Sequence, residues 1–214
     1  MCGIVGLVTP ERVDPAARSL LLDMRDKLTH RGPDSSDVWI QNNVGLGHRR
    51  LSVIDTSDAG NQPLLSHNGR WALCYNGEIY NAMELRSELG QTPWKGHCDS
   101  EVLVEAIAAW GISKTLQRLG GMFAFAAYDT QSGMLYLARD QVGIKPLYYG
   151  TVNGTFGFAS ELSAMAGLGQ MTLDHASITS YLRYRYVPAP HSIYREVHKL
   201  QPGHVLHGAR RVDV

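Results

Sequence analysis

The chain opens Met1-Cys2-Gly3-Ile4-Val5-Gly6, and Cys2 is the first residue whose position could do chemistry. Methionine aminopeptidases remove Met1 when the second residue is small, and cysteine qualifies. Removal leaves a free α-amine on the residue that carries the thiol. Such an amine has an unperturbed pKa of about 7.7–8.0, so a useful fraction is neutral at physiological pH. It could take the thiol's proton directly or through a water, the arrangement used by N-terminal threonine hydrolases. Position two alone says little, because a lone cysteine is more often a buried, inert thiol. That bland reading suits Cys74, which sits in an apolar run. At Cys2 the following glycine and strand-like run favour the reactive one, since a nucleophile at a strand end is held rigidly.

Three further groups could serve the same chemistry. Asn76-Gly77, within Tyr75-Asn76-Gly77-Glu78-Ile79-Tyr80-Asn81, reads most simply as a turn after a strand. Yet an Asn amide and the next Gly N–H can converge on one developing negative oxygen, which is an oxyanion hole for acyl transfer. Glu78 beside it could accept from a ligand ammonium. Arg49-Arg50 could be a solvated pair, but a guanidinium at a strand edge can also hold a carboxylate bidentately. Asp99, before Ser100 and Glu101, is read as a helix N-cap, with a carboxylate that could also take an ammonium.

The 214 residues bound what these groups can belong to. At roughly 150 residues per domain the chain is one large domain or two small ones. A 44% apolar and 19% charged composition excludes intrinsic disorder. Lys plus Arg and Asp plus Glu both number 20, and a zero balance argues against a dedicated nucleic-acid binder. No apolar run reaches the 18 or so residues of a membrane span, and no signal peptide is read at the start; the expectation is a cytoplasmic protein. Three cysteines (Cys2, Cys74, Cys98) without CxxC spacing argue against a disulfide framework or a zinc site. The nine histidines are scattered, so no metal is expected.

The elements that must position these residues follow from periodicity. Residues 3–8 predict a buried strand and residues 16–28 a helix with Leu20, Leu21, Met24 and Leu28 on one face. Strands are expected over 38–40 and 44–54, joined at Asn42-Asn43, and over 71–75. Helices are expected over 79–89 and 100–110. Short strands follow at 122–128, 134–138, 147–150 and 155–159, then helices at 160–165 and 176–184. Many antiparallel-type strands with interspersed helices argue for an α+β layered domain. Residues 186–214, with Pro188, Pro190 and Pro202, read as an extended linker, and the chain as a fragment of something longer. Arg183, Arg185, Arg195, Arg210 and Arg211 make this end basic.

Taken in order, these segments match a family. The chain resembles the N-terminal glutaminase domain of asparagine synthetases, a class II glutamine amidotransferase of the N-terminal nucleophile (Ntn) hydrolase superfamily. The resemblance is carried by Met1–Gly6, Arg31-Gly32-Pro33-Asp34, Gly47–Asp55 (GHRRLSVID), Gln62-Pro63-Leu64 and Tyr75–Asn81. It continues through Asp99–Val102, Gly121–Ala126, Arg139–Tyr149 (RDQVGIKPLYY) and Phe158–Glu161. Pro33 and the Gly143–Tyr149 stretch set the chain apart from related amidotransferases and place it on the asparagine synthetase branch.

The resemblance implies a four-layer α/β/β/α sandwich of two antiparallel sheets over residues 1–185. It implies that Cys2 is the nucleophile and its freed amine the base, with the Asn76 side chain and Gly77 N–H as the oxyanion hole. Arg50 would pair with the α-carboxylate of L-glutamine, Leu51, Val53 and Ile54 would line the pocket, and Glu78 and Asp99 would receive the α-ammonium. Arg31 and Asp34 would hold the loop near the N-terminus. Glutamine would become glutamate and ammonia through a γ-glutamyl thioester, with no cofactor and no metal. The ammonia would serve an ATP- and Mg²⁺-dependent C-terminal synthetase domain, whose Ser-Gly-Gly-x-Asp-Ser loop does not occur here, amidating aspartate or another carboxylate such as a sugar acid. A homodimer through this domain also comes with the resemblance. Two other readings stand beside it: a catalytically silent glutamine-binding or regulatory module, and another N-terminal nucleophile enzyme such as an acylase.

Overall fold

A computed structural model describes residues 1–208. The end of the expected linker, with Arg210 and Arg211, lies outside the described residues. Eleven strands form two sheets among them. In the first, β1 (Gly3–Val8) lies between β3 (Val44–Arg50) and β9 (Thr155–Ala159). It is extended by β2 (Ser35–Gln41) on one side and by β8 (Tyr148–Val152) and β10 (Val197–Lys199) on the other. In the second, β5 (Trp71–Ile79) and β6 (Gly121–Asp129) are central. They are flanked by β4 (Leu64–Leu65) on one side and by β7 (Met134–Arg139) and β11 (Val205–His207) on the other. All the pairings are antiparallel.

Period-2 alternation explains why the sheets stack. Ile4 and Val8 of β1 face inward, with Val44, Leu46, Ala72, Cys74, Ala124, Ala126, Phe156 and Phe158, in a core between the sheets. Val5 and Leu7 point the other way, onto Leu21, Met24 and Leu28 of helix α1 (Pro15–Asp26) and the segment after it. On the far side Leu73, Tyr75, Phe123 and Phe125 pack under helices α2 (Ala82–Glu88) and α3 (Asp99–Arg118). Helix, sheet, sheet, helix is thus the layer order, and the four-layer α+β sandwich is the observed architecture. Each fully buried large apolar side chain contributes about 1.5–3 kcal/mol, and three separate cores supply them. Among the described residues, no helix is long and apolar enough to cross a membrane.

Five local expectations differ. β3 ends at Arg50, not at 54, because loop carbonyls curl around that guanidinium. β5 runs through Asn76-Gly77 to Ile79, paired residue for residue with β6, so this pair is no turn. Asp99 is the first residue of α3 and Cys98 its cap, without a capping side-chain bond; the Asp99 carboxylate is engaged on β5 instead. The segment from 186 supplies β10 and β11, an edge strand for each sheet. Helix α3 also runs past 110, interrupted at Gly111 (φ 77°). Helices α4 (Leu162–Met165) and α5 (His175–Tyr184) complete the element order.

Candidate active site

The two sheets open at one end into a cleft of about 220 Å³. Cys2, Arg50, Leu51, Val53, Ile54, Asn76, Gly77, Glu78 and Asp99 all line it. Every candidate residue of the sequence is therefore brought to one place. Asp55, Gly60, Gln62, Tyr75, Cys98, Met122 and Lys145 join them.

Cys2 stands just before β1, partly exposed. Its Sγ is bracketed by the backbone of Leu51, accepting from the N–H at 3.4 Å and donating to the C=O at 3.7 Å. The residue is fixed from behind by Arg31, whose Nε donates to the Cys2 carbonyl at 3.0 Å while Nη1 pairs with Glu161 at 2.8 Å. Asp34 ties down the next loop by accepting from Ser52 N–H at 2.7 Å. Both residues are structural, as expected. Met1 is present, so the Cys2 nitrogen is in a peptide bond.

Opposite lies β5. Asn76 is buried, and its Nδ2 has no hydrogen-bond partner among the described residues. A buried amide donor left unpaired costs about 1–3 kcal/mol, and such an orphan on a cleft wall is a donor held ready. Gly77 is required by packing: a Cβ there would overlap the Met122 carbonyl and the Phe123 backbone of β6. The strand is locked from below by two polar contacts that the sequence did not disclose. Gln62 Oε1 accepts from Tyr75 N–H at 2.7 Å. His48, buried between the sheets, donates from Nε2 to the Tyr75 carbonyl at 3.0 Å. Burial, with a smaller push from Arg50, pulls the His48 pKa down to about 4.

Arg50 is 5% exposed. Nη1 donates to Ser57 C=O (2.7 Å) and Asn61 Oδ1 (2.9 Å), and Nη2 to Asp55 C=O. A guanidinium has five N–H donors. Three are taken, leaving Nε–H and one Nη2–H, on adjacent nitrogens, to face a carboxylate. Gly60 lies flat against the guanidinium, where a side chain would collide with it. The loop itself is latched by Asp55, whose Oδ1 accepts from Ser57 N–H (2.9 Å) and Oγ (2.6 Å) and Oδ2 from His97 N–H (2.9 Å). Those bonds, that from His97 first, hold the Asp55 carboxyl down at about 2. Val53 and Ile54, 74% and 52% exposed, form the rim.

Asp99 closes the far side. Its Oδ2 accepts from Tyr75 OH at 2.6 Å and from Ile79 N–H at 2.9 Å. Among the described residues Oδ1 meets only the Cys98 thiol, at 3.6 Å, and keeps capacity for a cation. Burial first, and the Asp99 carboxylate second, push the Tyr75 hydroxyl well above its ordinary range, so it stays a donor. Glu78 is exposed at the mouth. Lys145 lines the cleft too, and nothing in the sequence gives it a role. Cys74 is the inert buried thiol expected, raised by burial and bonded to Gly47 C=O.

The chain thus places a thiol at the start of a central strand, in an α+β fold of two antiparallel sheets sandwiched by helices. The family model described as "Glutamine amidotransferase domain" matches residues 1–212, and the chain belongs to that family. It is 38% identical over 208 residues to "Asparagine synthetase [glutamine-hydrolyzing] 1" of Bacillus subtilis (strain 168), covering 95% of this chain and 33% of that protein. It is 36% identical over 227 residues to a "Putative asparagine synthetase [glutamine-hydrolyzing]" of Mycobacterium bovis, covering 95% and 34%. The chain thus spans about a third of the length of these curated relatives. Among solved structures it is similar in fold to the glutamine phosphoribosylpyrophosphate amidotransferase of B. subtilis (TM-score 0.66, 22% identity, 81% of this chain and 45% of that one). A second match is titled the allosteric regulatory enzyme of purine biosynthesis (TM-score 0.71, 21% identity, 96% and 46%).

Proposed function

We propose that this chain hydrolyses L-glutamine to glutamate and ammonia through a γ-glutamyl thioester on Cys2. One observation carries the reading: the Cys2 sulfur, the unpaired Asn76 amide, the two free Arg50 donors and the Asp99 carboxylate line a single small cleft. A volume of about 220 Å³ is below the range of drug-sized pockets and suits a single amino acid. Arg50 takes the α-carboxylate, and Asp99 with Glu78 the α-ammonium. The side-chain amide then reaches Cys2.

The α-amine freed by loss of Met1 accepts the thiol proton as sulfur attacks the amide carbon. Asn76 Nδ2 and Gly77 N–H stabilise the oxyanion. Collapse expels ammonia, which leaves with the proton held on the amine, and the thioester remains. Water, deprotonated by the same amine, hydrolyses it to glutamate and restores the thiol. Nucleophile, base and oxyanion donors all come from the chain, so the reaction calls for no cofactor. The relatives' names, and their greater length, support delivery of the ammonia to an amidation carried out outside this chain, for which the resemblance implies ATP and Mg²⁺.

Glutamate release from L-glutamine, by protein shown by intact mass to begin at Cys2, tests this against Cys2→Ala. Turnover by the first and background from the second is the expected result. Binding of glutamine without turnover by the correctly trimmed protein would overturn it in favour of a silent glutamine-binding module.

A further inference from the structure

Lys145 is the group in the cleft that the reaction above leaves unexplained. It is 5% exposed, and a buried ammonium normally finds oxygen partners. Among the described residues, the only hydrogen-bond partner of its Nζ is the Met1 thioether, at 3.4 Å. Met1 is the residue whose removal the proposed function requires. The backbone around Lys145 is nonetheless fixed from two sides. Asp140, buried, accepts from the N–H groups of Gly143 (2.7 Å), Ile144 (3.0 Å) and Lys145 (3.1 Å). Burial alone would raise the Asp140 carboxyl, but these bonds outweigh it and hold it below its ordinary range. Arg139 then donates to the Lys145 carbonyl at 2.7 Å, and to Gly143 and Leu200 C=O. The fold thus spends one buried charge, Asp140, and one half-buried charge, Arg139, to place a third.

From these contacts, and resting on the proposed glutaminase reading, we infer that Lys145 is a positioning residue whose fixed charge keeps the Cys2 α-amine unprotonated, ready to act as base. Five bonds separate Met1 Sδ from the Cys2 nitrogen, a span of at most about 6–7 Å, so Nζ lies within about 10 Å of that amine. A like charge so placed in a partly dry cleft disfavours a second one.

Apart from Glu78, the other charged and titratable groups around the amine have partners of their own. Arg31, behind Cys2, is paired with Glu161, which also meets His30. Arg50 of β3 is wrapped by loop oxygens, and Asp55 is spent on Ser57 and His97. Tyr75 of β5 and Asp99 of α3 hold one another, Cys98 bonds with Ser100 and Asp99, and His48 is neutral above about pH 4. Glu78, at the mouth, is exposed. Among the described residues, Lys145 is the cation there without an oxygen partner.

The test compares Lys145→Met, which keeps the chain and removes the charge, with Lys145→Arg, which keeps the charge. Each is confirmed by mass to start at Cys2 and by thermal melt to be folded, with Lys145→Gln in place of the Met variant if that one does not fold. The pH dependence of Cys2 alkylation by iodoacetamide is read first, then that of kcat/KM for glutamine. Removing the charge should move the acid limb of both upward by about one pH unit, from a charge at about 10 Å in an effective dielectric of about 20. The rates should converge at high pH, and the Arg variant should keep the wild-type limb. An unmoved limb in the uncharged variant, or an equal shift in Lys145→Arg, overturns the inference. Alkylation needs no glutamine turnover, so a shifted alkylation limb in a protein that does not hydrolyse glutamine would sink the glutaminase reading and leave the role of Lys145 intact.

Discussion

Strand β5 and the loop over residues 51–61 face each other across one cleft, yet they are held by different means. The strand is central in its sheet, and its first six residues are buried. Asn76 can neither swing nor be solvated, because Gln62 and His48 lock the backbone just before it and Gly77 lets β6 press against it. The loop has exposed residues at 53 and 54 and owes its shape to polar bonds through Arg50 and Asp55. The contrast matches what the proposed glutaminase reaction would ask of each. Oxyanion stabilisation works only if donors need no reorganisation when charge develops. Recognition of a free amino acid needs a route in, and a surface loop with a charged anchor supplies one.

The contrast can be broken first at the strand. Asn76→Ala should lower kcat for glutamine by about 10²–10³, the usual cost of one oxyanion donor, with KM changed by less than about threefold. The apo protein should be no less stable, because the lost donor had no partner to lose. Steady-state kinetics and a thermal melt read both. A rise in KM with kcat preserved would mean that Asn76 binds ground-state substrate, and the two walls would not differ as argued.

The loop should fail in the opposite way. Arg50→Lys keeps the charge but offers three donors in place of five. Those three satisfy either the loop oxygens or a carboxylate, not both. KM should rise about 10- to 100-fold, the worth of one or two charge-assisted hydrogen bonds, with kcat largely retained at saturation. A matching KM effect for glutamine and for its des-carboxy analogue would remove Arg50 from carboxylate recognition.

Why some of this could be read from the chain and some could not is visible at single residues. The strand of 3–8, the apolar run of 71–75 and the apolar helical face begun at 16 are local patterns that the cores enforce; they emerge as a strand over 3–8, the first part of a strand that runs on to Ile79, and a helix that ends at Asp26 with Leu28 packed just after it. Asn76-Gly77 carries a turn signal that tertiary pairing overrides. The glycine is needed for the approach of Met122 and Phe123, which come from about 45 residues further along the chain. Asp99 carries a cap signal, but Tyr75 OH and Ile79 N–H compete for the same carboxylate and take it. The end of β3 at Arg50 and the edge strands from 186 onward depend on partners elsewhere in the chain. The site residues were legible because their types suit the chemistry and their order matches a family. Lys145 and His48 were not, since nothing local distinguishes a buried cation or imidazole from a solvated one.

His48 sharpens the comparison without touching the reaction. Its pKa in the folded chain is about 4, against an ordinary value of about 6.5 in the unfolded one. Between those values the unfolded chain holds more protons, so stability rises with pH across this window. The contribution is complete above about pH 6.5, erodes as pH falls toward 4, and is gone below. A displacement of this size corresponds to about 3 kcal/mol. Asp55 and Asp129, both held near 2, act in a separate window, from their ordinary value near 3.8 downward. Glu105, raised by burial, works in the opposite sense but is common to any pair of proteins differing only at 48. His48→Gln preserves an N–H that can reach the Tyr75 carbonyl and does not titrate. Denaturant titrations of the two proteins at pH 7 and pH 4.5 should therefore diverge, the wild type losing about 2–3 kcal/mol more than the variant. Glutaminase activity at pH 8 should stay within about threefold of wild type, because β5 keeps its lock. Equal acid sensitivity in the two proteins would mean that His48 is not held neutral by burial, and that the rigidity of β5 has its source in Gln62 and the β6 pairing alone.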